Sequence, residues 1–328
     1  MIKNKKANAG INILVFILFI LVLILTIYSF YIIYSYIPGE PESLDVEINK
    51  DIVENISLSD VKQFYPNMKF NHNNISYFIY ADCDLAKSSR VIKAFNILSE
   101  EIGYINFYDS IKNADIEVIC SENDKQKLNS EKEFFIAGEG GAREIVKTGK
   151  NNVIINGTIL LYKYSQNYKQ CNAPNVEIHE LIHVFGFDHS ENKNSLMNPY
   201  LISCNQKIDE SIVLELKRLY SESNFPDLYF EEVKAIKRGR YLDFNVTIKN
   251  SGTIDSMNTS LGVYEDGKLI ESEPLGIIKF GGGVFYNVES LRISKSNPNK
   301  IVFKIDPNNT VKENDKTNNV AEIKFKQT

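Results

Sequence analysis

Apolar residues first form one unbroken block and then settle into two periodicities. The block is INILVFILFILVLILTIYSFYIIYSYI, Ile11 to Ile37, inside a stretch without charge from Ala7 to Gly39. It exceeds the ~20 residues needed to cross a bilayer. Residues 38–69 show no sustained pattern and read as a linker. ISYFIYA (Ile75 to Ala81) is rich in β-formers and predicts a strand. SSRVIKAFNILSEEIGY follows, with Val91, Ala94, Phe95, Leu98 and Ile102 at helical spacing. NADIEVIC (Asn113 to Cys120) predicts a second strand, and VIINGTILLYK a further extended run broken at Asn156-Gly157. DESIVLELKRLY, from Asp209, places Ile212, Val213, Leu216 and Leu219 on one helical face. Residues 70–222 therefore predict an α/β (α+β) domain. After Phe225-Pro226 the period falls to two: YLDFNVTIKN, LGVYEDGKLI and IVFKIDPNN, separated by turn residues, predict an all-β sandwich over 226–328. Ending the chain near Ser223 should leave no cut hydrophobic face.

Charge gives the apolar block a direction. Lys3, Lys5 and Lys6 precede it, and Glu40, Glu42, Asp45 and Glu47 follow. Lysine bias puts residues 1–10 in the cytoplasm and makes 11–37 a single transmembrane anchor. Tyr28, Tyr31, Tyr34 and Tyr36 gather at its far end, as interfacial aromatics do. A cleaved signal peptide is the rival, but the block is longer than such a core and no small-x-small site follows. Either way the rest of the chain lies outside the cytoplasm. All four cysteines come after the span, as suits an oxidising compartment. Cys83–Cys120 and Cys171–Cys204 are favoured among three pairings, since the first pair ends two strands and the second brackets the histidine helix; buried free thiols are the alternative. With 42 acidic against 37 basic residues and no basic stripe beyond the N-terminal lysines, a nucleic-acid partner is not expected. N-x-S/T sequons, including Asn55, Asn74, Asn156, Asn245, Asn258 and Asn308, are expected by chance in so asparagine-rich a chain, which leaves glycosylation open.

The densest chemistry is HELIHVFGFDH, which holds three of the chain's four histidines. His179 and His183 are four apart and share a helix face, so both can reach one zinc ion. Glu180 is offset by about 100° and reaches a water beside the metal instead. Gly186 lets the chain leave the helix in the left-handed conformation, and the turn can bring His189 back as a third ligand. Three histidines and an open position make a catalytic zinc site, whereas a structural site closes with four protein ligands.

The string H-E-x-x-H-x-x-G-x-x-H, with Met197 eight residues on, resembles the metzincin metallopeptidases, and GFDHSENKNSLMNP is most similar to their matrixin branch. The resemblance implies that His179, His183 and His189 bind a single catalytic zinc and that Glu180 is general base and acid. It makes Met197 the apolar floor beneath the metal and Pro199 a wall on the primed side. Asn198 departs from the aromatic usual between Met and Pro, which changes the specificity pocket rather than the chemistry. Structural zinc sites common in matrixins need more histidines than the remaining His72. The thiol that silences secreted matrixin precursors has no counterpart. In the family the strand before the active-site helix forms the upper rim of the cleft and pairs with extended substrate; VIINGTILLYK, or the AGEGGAREIV run before it, is expected in that place. The PDL, IKNSGT, VYEDGK and IDPNNTVKENDKTNN segments resemble CARDB, an immunoglobulin-like domain of prokaryotic surface proteins that binds, spaces or presents, so a surface ligand is a possible partner. Calcium near Asp306, Glu313 and Asp315 is less favoured than a solvated loop.

The expectation is a membrane-anchored zinc endopeptidase acting on proteins or peptides outside the cell. The alternative is a surface adhesion protein with a non-catalytic metal domain.

Overall fold

The structure is a computed structural model that describes residues 3–49, 62–111, 113–123, 125–129, 132–163 and 171–325. Helix α1 (Lys3–Tyr36) contains a 23-residue segment, Leu14–Tyr36, of mean hydropathy 2.8, with none of its apolar window buried. Strands β1 (Pro41–Leu44) and β2 (Glu47–Ile48) follow within a dozen residues. They belong to the C-terminal sandwich, so residues 38–69 are not simply a linker. Leu44, Val46 and Ile48 alternate with Asp45 and Glu47 and pack against the sandwich core. An alternation so short and so acidic is hidden in sequence. The sequon at Asn55 lies outside the described residues.

Next come β3 (Met68–Phe70), β4 (Asn74–Ile79), helix α2 (Leu85–Ile102), β5 (Asn106–Asp109) and β6 (Ile116–Cys120). A hairpin of β7 (Lys125–Asn129) and β8 (Lys132–Ile136) precedes β9 (Gly138–Thr148) and β10 (Asn151–Leu161). The sheet order is β3-β10-β6-β4-β5, with these neighbours parallel, while β9 runs antiparallel along β10. Helix α2 crosses over between parallel β4 and β5. It starts three residues before the periodic run because Asp84 accepts the Lys87 N–H at 2.7 Å, and it stops at Gly103 with φ 72°. Its buried residues are the five that periodicity picked out. Helices α3 (Asn175–Val184) and α4 (Glu210–Ser221) complete this unit and share its core. Disulfides Cys83–Cys120 and Cys171–Cys204 are both formed. The first ties the β4 end to β6; the second ties the chain ahead of α3 to the loop ahead of α4.

The remaining strands are β11 (Leu228–Arg238), β12 (Tyr241–Asn250), β13 (Thr259–Glu265), β14 (Lys268–Gly276), β15 (Gly283–Arg292), β16 (Lys300–Ile305) and β17 (Val320–Lys324). They form the sheets β1-β11-β12-β15 and β14-β13-β16-β17-β2. Every second residue of β12 is buried, as one wet face and one dry face require. Phe244 and Phe303 meet edge to face at 5.0 Å between the two sheets. In β1, Leu44 pairs with Ala235, and in β2, Ile48 pairs with Ala321. The chain therefore runs from the helix through the first two strands of the sandwich into the α/β unit, and returns to complete the sandwich afterwards. Arg292 stacks on the Tyr36 ring at 4.0 Å, and the Tyr241 hydroxyl donates to the Tyr36 carbonyl at 3.3 Å.

Candidate metal centre

Helix α3 is buried from end to end and carries His179 and His183 on one face. It ends where the apolar run meets Gly186, whose φ is +84°. A Cβ there would lie 2.2 Å from the Met68 sulfur, so both the conformation and the space demand glycine. The chain then doubles back. Phe64 N donates to the Gly186 carbonyl at 2.8 Å and Asp188 N to the Lys62 carbonyl at 2.9 Å, which pins the turn from outside.

The three histidine Nε2 atoms converge. His179 and His183 are 3.0 Å apart, His183 and His189 3.2 Å, and His179 and His189 3.3 Å. Tetrahedral ligands about 2.05 Å from a zinc ion stand roughly 3.3 Å from one another, so the spacing fits. Their other nitrogens fix the tautomer. His179 Nδ1 donates to the Leu196 carbonyl and His183 Nδ1 to the Phe187 carbonyl, both at 2.7 Å, which leaves each Nε2 lone pair facing the common point. Burial, with His183 and His189 close by, pushes the His179 imidazole down to about 3, and burial also lowers His183 and His189. Neutral imidazoles are what a metal requires. His179 and His183 are buried while His189 is exposed, so the site opens on the His189 side. Among the described residues this trio is the one cluster of histidine, cysteine and carboxylate groups spaced for a metal. His72 lies elsewhere, bonded to Asn71 and Asp115 at 2.8 and 3.1 Å.

Glu180 is buried on the same helix, against β9. Burial first, and then the nearby Glu139 carboxylate, raise its carboxyl to about 8. Gly138 and Gly140 allow this approach: a Cβ at Gly140 would fall 2.0 Å from the Glu180 carbonyl oxygen. Of the two runs considered for a rim, AGEGGAREIV is the one beside Glu180, because VIINGTILLYK lies one strand further in. Glycine is a poor strand former, which made this strand hard to read.

Met197 is fully buried in the turn that supplies the Leu196 carbonyl to His179. Asn198, the departure from the usual aromatic, braces that turn. Its amide donates to the Ser190 carbonyl at 3.1 Å and accepts from Tyr200 N at 3.1 Å. Pro199 follows on the surface. Gln206 closes the loop, donating to the Lys193, Ser195 and Tyr200 carbonyls. Arg90 does not stand out in sequence, because an arginine on an amphipathic helix reads as solvated. It instead grips buried Glu177 of α3 at 2.8 and 3.1 Å and the Cys171 and Ala173 carbonyls at 2.7 and 3.0 Å. Asp306 accepts from Thr310 and Val311 of its own turn and from Lys316, while Glu313 accepts from Leu228 N and Asn319, so both carboxylates are engaged by protein donors.

Residues 69–221 match the Matrixin family model, and residues 225–323 match the CARDB family model. The sandwich is similar to the crystal structure of a CARDB domain from Pyrococcus furiosus in complex with di-metal ions. That similarity has 24% identity and TM-score 0.27, over 31% of this chain and 87% of that one. It is also similar to the solution NMR structure of a 272–376 domain from Methanosarcina acetivorans, at 17% identity and TM-score 0.26, over 32% of this chain and 95% of that one. No curated protein matches the chain.

Proposed function

We propose that the Matrixin-like segment is a metzincin-type zinc endopeptidase, held at the cell membrane by α1 with the N-terminus cytoplasmic and the peptidase outside. The carrying observation is the convergence of three neutral histidine nitrogens at 3.0–3.3 Å with a carboxylate on the same helix. His179, His183 and His189 would hold the ion. When bound, zinc would lower the pKa of water toward ~7 and polarise the scissile carbonyl. Glu180 would take the water's proton and return it to the leaving amine. The outer edge of β9, which no other described strand pairs, would offer backbone groups to an extended peptide. Met197, fully buried in the turn after His189, would form the floor beneath the histidines, and Pro199 the wall on the primed side. Helix α1 supports the anchor by length and composition. The CARDB-like sandwich gives a surface ligand a place to bind.

A purely adhesive protein would have no use for a buried carboxylate beside the histidines, which favours the enzyme reading. Glu180→Gln tests this: the amide cannot accept the proton, so zinc content should stay at wild-type level while peptide cleavage falls by at least about a hundredfold. Cleavage near the wild-type rate would remove Glu180 from the chemistry.

A further inference from the structure

The strand that borders Glu180 at one end is held by the sandwich at the other. β9 is eleven residues long, about 33 Å at the usual rise. Its far end enters a hairpin whose tip, Thr148 to Lys150, sits in a socket made by two turns of the sandwich. Thr148 is buried, and its hydroxyl lies 2.6 Å from the Gly252 carbonyl and 3.3 Å from that of Asn250. A Cβ added to Gly149 would meet the Ser251 carbonyl at 2.6 Å, and one added to Gly281 would meet Val146 Cγ1 at 2.6 Å. The socket is stiff because buried Asn250 knits its turns together. Its amide donates to the Ile254 and Ile278 carbonyls, both at 2.9 Å, and accepts from Asp227 N and Gly252 N, both at 3.0 Å.

At the near end the strand cannot shift without disturbing α3. Gly140 lies against the Glu180 backbone, and a Cβ on Gly157 of β10 would meet Val184 Cγ1 at 2.5 Å. Between the two ends β9 is bonded along β10, with register shifts at Ile154 to Gly157. The hairpin thus joins a rigid socket to the edge that flanks the metal centre.

We propose that the sandwich sets the position of the β9 edge, with Thr148 as the positioning residue, and so takes part in recognising extended peptide substrates. The substrate side of this proposal rests on the peptidase reading; the mechanical link does not. It also changes the expectation for a chain ended at Ser223, which would lose the socket and leave Thr148 uncovered.

The test uses the full chain. Thr148→Val keeps the shape and removes the donor, Thr148→Ser restores it, and Gly281→Ala disturbs the hairpin from the sandwich side. Amide exchange at residues 138–142 should quicken at least about threefold in the Val and Ala variants and return toward wild type in the Ser variant. KM for a peptide long enough to lie along β9 should rise about fivefold, with kcat within about twofold. Faster exchange confined to residues 146–150, or an unchanged KM beside faster exchange at 138–142, would overturn the proposal. A wild-type chain that cleaves nothing would defeat the peptidase reading, while the exchange measurement would still decide the link.

Discussion

Arg90 shows how much of the metal centre depends on a side chain remote from it. Glu177 is 1% exposed and Arg90 14%, and the fork contact between them is supplemented by two carbonyls of the chain leading into α3. Removing the guanidinium would strip its fork from a buried carboxylate and two hydrogen bonds from the chain leading into α3, and breaking a buried pair of this kind costs about 3–5 kcal/mol. Arg90→Ala should therefore lower stability by that amount in urea unfolding followed by circular dichroism. A loss below about 1 kcal/mol would mean that water or another donor replaces the arginine. The three candidate ligands were legible because the chemistry demands particular residue types at particular spacings. Arg90 was not, since nothing local distinguishes a solvated arginine from one folded under a neighbouring helix.

The elements divide the same way. Helices α2 and α4 could be read from apolar spacing, and the sandwich strands from alternation. β9 was obscured by glycines that exist to let Glu180 approach, and β1 and β2 by their brevity and acidic residues. The turn after α3 is the element on which the position of His189, the third candidate ligand, depends. Gly186→Ala would force a side chain into a left-handed backbone and against Met68, costing on the order of 1–3 kcal/mol. The turn would relax away from that geometry and carry His189 with it. Zinc affinity, measured by competition with a chromogenic chelator, should drop at least about tenfold, a 1.4 kcal/mol effect. Unaltered affinity would show that His189 reaches the metal position independently of the turn.

At the scale of the whole molecule, three units are arranged in an order their sequence does not follow. The apolar helix leads directly into strands that complete the sandwich, and the sandwich in turn holds the hairpin that borders the metal centre. The α/β unit is in effect inserted between the second and third strands of the sandwich, a long-range pairing that no local pattern could reveal. The central proposal is zinc-dependent peptide hydrolysis by this assembly. Its most direct test is to reconstitute the full chain in lipid nanodiscs, determine bound zinc, and incubate it with a peptide library before and after a zinc chelator. The expected result is one zinc per chain and internal cleavage that the chelator abolishes and added zinc restores. A folded, zinc-loaded chain that cleaves no peptide, or cleavage that survives complete removal of the metal, would contradict it.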